Sequence, residues 1–287
     1  AALVPYENVD SFRETILFGN FNRTTLYLVP KAPPVTPAPA IVLLHYLDGT
    51  VEPMANLVAA GVLAREFGTY VIMPQAYNGA WNQNPTAVNQ VNDVGFIDHV
   101  IDDAVERFNL DPKRIYIAGY SNGGFMAVRY ACAHPAKVAA VTAIAATIRA
   151  SVSTSCSIPM TMPVMMMHGT QDEQIPYDGS STTVTNPLLG NNNLSAPDAA
   201  QYWADVNGCA GAPVVSQLQD RVPDGTTMSL ARYGNCAPGG AMDFYTVTGG
   251  GHNWPGAIDA LPQLGLTSQD LNATITMWNF FKQFARP

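Results

Sequence analysis

The sequence predicts an α/β fold: a mostly parallel central sheet covered by helices on both faces. Three observations predict it. From residue 40 onward, short apolar runs alternate with helical patterns, and that alternation specifies parallel strands joined by crossover helices. The run Ile41-Val42-Leu43-Leu44 reads as a buried strand. The chain has 287 residues, 47% of them hydrophobic, and shows no repeat and no interdomain linker. That is enough for a large core, and one domain over 1–287 is expected.

Each element follows from its own pattern. The alternating runs Thr15–Phe18 and Thr24–Val29 predict a hairpin at a sheet edge. The segment 30–39, PKAPPVTPAP, is too rich in proline for helix or central strand. A strand is expected over 40–47, a helix over 53–67 and a strand over 70–75. The 93–108 stretch is an amphipathic helix, with Val94, Ile97, Val100, Ile101, Ala104, Val105 and Phe108 on one face. Strand 114–120, helix 122–133, strands 138–145 and 163–168, helix 197–206, strand 242–248 and helix 268–284 complete the alternation. The segment 207–241 interrupts it with two cysteines and one strand pattern at 228–233, and reads as an insertion before the last strand.

Composition excludes several functions. Charged residues make up 13% and the net charge is −8, which argues against nucleic acid and against electrostatic docking on anionic lipid. No run approaches the roughly 20 apolar residues of a membrane span. The four cysteines, Cys132, Cys156, Cys209 and Cys236, form no CxxC pair, so a metal site is not expected. Their even number suggests two disulfides and a secreted or periplasmic location; three connectivities are possible, and pairing of sequence neighbours, Cys132–Cys156 and Cys209–Cys236, is the one expected. Four buried free thiols are the alternative.

Chemistry concentrates at Gly119-Tyr120-Ser121-Asn122-Gly123. An apolar strand precedes it and a helix follows, so this G-x-S-x-G can present Ser121 on a tight strand-to-helix turn as a nucleophile. The helix N-terminus would then face developing negative charge. Serine needs a base held by an acid, in the chain order nucleophile, acid, base. Of five histidines, His45 and His99 precede the serine. His134 reads as a helix-end residue and His168 as a turn residue. His252, in TGGGHNWPG after the last strand, is the expected base. Asp172, which follows strand 163–168 and a Gly turn in VMMMHGTQDEQIP, is the expected acid, with Glu173 the alternative.

An oxyanion hole needs two backbone N–H groups. One is that of Asn122; the other is expected from the loop His45-Tyr46-Leu47, at Leu47 or Tyr46. The side chain of His45 can equally be a satisfied strand-end histidine. Tyr46, Tyr120, Trp81 and Trp254 are the candidate substrate-binding aromatics, with Tyr77 also near the expected mouth. The polar loops 77–92 and 173–196 are expected to frame an open cleft.

GYSNGG, HGTQDEQIPYDG, YWADVNGC and GGGHNWPG, in that order, resemble the esterase family that includes extracellular polyhydroxybutyrate depolymerases, feruloyl esterases and acetylxylan esterases. The resemblance covers residues 14–285. It implies the α/β-hydrolase fold, Ser121, Asp172 and His252 as a triad, and an acyl-enzyme route needing no metal or organic cofactor. The partner would be a small or polymeric ester, and the protein itself is expected to be a monomer. Two departures stand out. His45-Tyr46 replaces the family's usual His-Gly, and no appended polymer-binding domain is evident, which favours soluble esters, oligomers or amorphous polymer over a crystalline polyester; hydrolysis of polyester or hydroxyalkanoate oligomers or of aromatic, feruloyl-type esters is expected. A β-diketone hydrolase with the same triad, and a non-catalytic binding protein on this scaffold, are the alternatives.

Overall fold

The computed structural model describes residues 1–85, 91–179, 192–258 and 261–287. Ten strands form one sheet. They are β1 (Val9–Phe18), β2 (Phe21–Pro30), β3 (Ala38–Leu44), β4 (Tyr70–Pro74), β5 (Leu110–Tyr120), β6 (Val141–Ile144), β7 (Val164–Gly169), β8 (Val214–Gln217), β9 (Thr227–Tyr233) and β10 (Met242–Thr248). Their order is β1-β2-β4-β3-β5-β6-β7-β10-β9-β8. The strands from β4 to β10 in that order pair in parallel, and antiparallel pairs extend the sheet at each end. This is the α/β-hydrolase fold.

The helices are α1 (Val51–Leu57), α2 (Gly61–Phe67), α3 (Asp93–Arg107), α4 (Asn122–Ala133), α5 (Ala150–Ser155), α6 (Ala196–Val206) and α7 (Ala273–Phe281). Side chains alternate across the strands, so each strand feeds two cores. Val42 and Leu44 of β3 meet Phe96 of α3, Phe125 of α4 and Trp203 of α6 on one face. Ile41 and Leu43 meet Met54, Leu63 and Trp278 of α1, α2 and α7 on the other.

Several expectations are corrected. The helix expected over 53–67 is two helices, because Ala59 takes φ 51° and turns the chain. The N–H of Ala60 then bonds the carbonyl of Ala55 at 2.8 Å. The proline-rich segment does contribute to a central strand. Pro39 lies in β3 at a register irregularity, where Ala38 pairs with Leu110 and Ala40 with Ile115; a bulge tolerates a residue without an N–H. The helix expected at 268–284 begins at Ala273, where the side chain of Asn272 accepts the Ile275 N–H. Helix α5 and strand β8 had no clear pattern; β8 is exposed throughout.

Both expected disulfides are present, Cys132–Cys156 and Cys209–Cys236. The first ties the end of α4 to the end of α5. The second closes the 207–241 segment, whose strands β8 and β9 continue the sheet beyond β10.

Candidate active site

Loops at the carboxyl ends of β3, β5, β7 and β10 converge, as ligand sites in open α/β sheets do. Ser121 sits between β5 and α4 with φ 56° and ψ −123°, a conformation non-glycine residues rarely adopt. Close packing explains the flanking glycines. A Cβ on Gly119 would lie 2.1 Å from the Gly123 carbonyl oxygen, and one on Gly123 2.3 Å from that of Leu44. The turn is therefore pressed against the end of β3.

His252 follows β10. Its N–H donates to the Leu264 carbonyl at 2.7 Å, and a Cβ on Gly251 would lie 2.0 Å from that same oxygen. Tyr120 donates its hydroxyl to the His252 carbonyl at 2.6 Å. The loop is thus held from two sides, and the imidazole reaches both partners. Nε2 lies 2.7 Å from Ser121 Oγ, and Nδ1 lies 2.7 Å from Asp172 Oδ2. All three residues are buried.

Asp172 closes the turn after β7, and its Oδ1 accepts the N–H groups of Gln174 (2.9 Å) and Ile175 (2.8 Å). Burial pushes its carboxyl up, but His252, then His168 and the Ile175 N–H, outweigh burial and hold it below the usual carboxylate range. An ionised Asp172 only accepts, so the proton of His252 belongs on Nδ1 and Nε2 is open to the Ser121 hydroxyl. Glu173 is exposed; Asp172 is the carboxylate that meets the imidazole.

His168, expected as a turn residue, is instead a buried residue of β7. Its Nε2 donates to the Ile175 carbonyl at 2.7 Å and lies 3.5 Å from Asp172 Oδ2. Burial depresses its pKa against the pull of Asp172 and the Ile175 carbonyl, and its ring braces the acid's turn. His134 caps the end of α4, and His99 packs against Phe18.

A cavity of about 560 Å³ opens over Ser121 and His252. Tyr46, Leu47, Leu57 of α1, Leu261 and Leu264 are among the residues that line it. Among the described residues, none of its lining side chains is an Asp, Glu, Lys or Arg. Tyr120 and Trp254 line it as well, although both are almost wholly buried. Tyr46 packs edge-on against Tyr120 with ring centroids 5.5 Å apart.

Trp81 is the exception among the candidate aromatics. It is 3% exposed and does not line the cavity; its indole N–H donates to the His45 carbonyl at 2.9 Å. Tyr77 likewise packs on Phe21, away from the cavity. The apolar walls Leu57, Leu261 and Leu264 were not anticipated, because nothing local marks an ordinary leucine as facing a cavity. Much of the two loops expected to frame the cleft, residues 86–90 and 180–191, lies outside the described residues.

The profile of the Phospholipase/Carboxylesterase family matches residues 80–195. A protein described as an esterase, NocK of Nocardia uniformis subsp. tsuyamanensis, is 26% identical over 93% of this chain and 81% of its own. Feruloyl esterase B of Piromyces equi is 26% identical over 87% of this chain, which spans only 43% of that enzyme. Among solved structures, an acetyl xylan esterase from Aspergillus awamori superposes with a TM-score of 0.60 over 84% of this chain and 94% of its own, at 16% identity. That likeness carries the fold; the sequence relatives carry the class. In sequence and fold the chain resembles the carboxylesterases of the α/β-hydrolase superfamily, and its class is that of a serine ester hydrolase.

Proposed function

We propose that this chain hydrolyses esters with an apolar or aromatic acyl group, in an oxidising extracytoplasmic compartment, through an acyl-enzyme on Ser121. The carrying observation is the unbroken line Ser121 Oγ, His252 Nε2 and Nδ1, and Asp172 Oδ2, at two separations of 2.7 Å, on the floor of an apolar cavity.

His252 Nε2 takes the Ser121 proton as Oγ bonds the ester carbonyl carbon. The carbonyl electron pair moves to oxygen, and the oxyanion accepts the N–H of Asn122 and that of Leu47 or Tyr46. Collapse breaks the bond to the alcohol oxygen, which leaves with the proton from Nε2. Water then gives a proton to Nε2, bonds the acyl carbon and releases the acid, and Ser121 recovers its proton. Asp172 stabilises the imidazolium in both halves. No step calls on a metal or an organic cofactor.

The cavity's largely apolar lining among the described residues and the Tyr46 ring suit a feruloyl-type acyl group or a short hydroxyalkanoate unit. The relation to feruloyl esterase B favours the first. Two disulfides support secretion or a periplasmic location, and no helix among the described residues is long and apolar enough to cross a membrane.

The test is turnover of p-nitrophenyl acyl esters, methyl ferulate, hydroxybutyrate oligomers and a β-diketone side by side, with fluorophosphonate labelling. Ester turnover and a label lost in Ser121→Ala are expected. A wild-type chain that takes no label refutes the mechanism. Turnover of the β-diketone above every ester refutes the substrate assignment.

A further inference from the structure

Trp81 was expected in the cleft and instead lies behind it, and its contacts reach both sides of the proposed oxyanion hole. We propose that Trp81, His45 and the Asn122 side chain form a buried clamp that fixes the 45–50 loop against the start of α4. Trp81 and His45 are then positioning residues for the oxyanion donors. This rests on the reading that the Asn122 N–H and the Leu47 or Tyr46 N–H receive the oxyanion.

The clamp is continuous. Asn122 Oδ1 accepts the Trp81 backbone N–H at 2.7 Å, and its Nδ2 donates to the Trp81 carbonyl at 3.4 Å. The Trp81 indole N–H donates to the His45 carbonyl at 2.9 Å. His45 Nε2 accepts the Ala76 backbone N–H at 3.0 Å, so that nitrogen carries no proton. Nδ1 therefore holds the proton and donates it to the Tyr46 carbonyl at 2.7 Å. Gln75 extends the chain: its Nε2 donates to His45 Nε2 (3.0 Å) and to the Gly49 carbonyl (3.1 Å), and its Oε1 accepts the Val51 N–H (3.0 Å). The Asp48 N–H donates to the Gly79 carbonyl at 2.9 Å.

Trp81, His45 and Asn122 are each 3% exposed or less. Buried polar groups must be paired, so each bond constrains the next. Asn122 would then act twice. Its backbone would supply one oxyanion donor, and its side chain would register the loop that supplies the other. The loop already touches the turn, since a Cβ on Gly123 would lie 2.5 Å from the His45 carbonyl oxygen. Loose packing there would let the second donor drift, and donors act only near 3 Å from the oxyanion.

The contrary account is that Trp81 merely fills space, with its ring 5.3 Å from that of His45. Trp81→Phe separates the two, because it keeps an aromatic ring and removes the N–H. Variants are compared per active site counted by fluorophosphonate titration. Losing one oxyanion donor outright costs about 10²–10³ in kcat, so a misaimed one should cost about 10–100-fold, with KM within about threefold. The affinity for an alkylboronic acid, whose tetrahedral adduct places an oxygen in the hole, should fall in proportion. Asn122→Ala should behave alike, and the double variant should be no worse than the poorer single one within about threefold. Unchanged kcat per titrated site with a lowered Tm, or losses that multiply in the double variant, overturns the clamp while leaving the ester-hydrolase reading intact. A wild-type chain that neither labels nor turns over overturns that reading itself.

Discussion

Asp172→Asn should nearly abolish turnover without disturbing the fold, and the hydrogen bonds say why. Oδ1 of Asp172 accepts two backbone N–H groups, from Gln174 and Ile175. In the variant only the amide oxygen can accept them. The amide nitrogen must then occupy the Oδ2 position, 2.7 Å from His252 Nδ1. An NH₂ there donates to Nδ1 and drives the imidazole proton to Nε2, which faces Ser121 Oγ at 2.7 Å. A protonated Nε2 cannot take the serine proton. The equivalent change in a serine-protease triad costs about 10⁴ in kcat, or about 5.5 kcal/mol on the barrier. The assay is kcat on p-nitrophenyl butyrate at pH 7 per folded molecule, with Tm measured alongside. Residual activity above about a tenth of wild type would refute the tautomer argument. Glu173→Gln is the control, expected within about twofold of wild type because Glu173 is exposed.

Three further outcomes are expected. Burial pushes His45 from 6.5 down to about 4 against the pull of the Tyr46 carbonyl. Its stabilising contribution is complete above the unfolded value and is lost as pH falls from 6.5 through about 4. Between pH 7 and pH 5 it should cost the fold about 2 kcal/mol; urea titrations should show a shallower pH dependence in His45→Gln, and equal slopes would count against the burial account. Replacing both Cys132 and Cys156 by Ser removes a 24-residue constraint and should lower urea stability by about 3.5 kcal/mol on the chain-entropy account; an unchanged midpoint would contradict it. Tyr46→Ala removes an edge-on aromatic contact worth about 1 kcal/mol and a cavity wall. The KM for methyl ferulate should rise about fivefold while acetyl ester turnover holds, and equal effects on both would remove Tyr46 from acyl recognition.

Local patterns made much of the molecule legible. The α3 face reads correctly from its spacing because an amphipathic helix needs only one apolar stripe, although Phe96, buried in the same core, was not among the residues named. Strand β10 was bounded at 242–248 from its apolar run. The break at Ala59 was not legible, since nothing in an alanine announces a positive φ; the packing of α1 and α2 against the sheet imposes it. Pro39 misled for the opposite reason. Its missing N–H is a local fact, but the bulge that accommodates it is a property of the β3–β5 register. Trp81 is the sharpest case. Its backbone partner, Asn122, lies 41 residues away and its indole partner 36, so composition could mark it as an aromatic near the site but not say which way it faced.

By itself the sequence determined the class of chemistry: a serine on a glycine-flanked strand-to-helix turn, then a strand-end acid, then a loop histidine, in the order this architecture requires. Those choices are written in residue type and spacing, because a turn, a cap and a nucleophile each demand particular local groups. Tertiary structure alone decided what surrounds that chemistry. It walled the cavity with Leu57, Leu261 and Leu264, put Tyr46 beside it, and buried Trp81 behind it. The reason is physical: the direction of a side chain at a loop or strand end depends on register and packing against segments distant in the chain, and no local spacing encodes that.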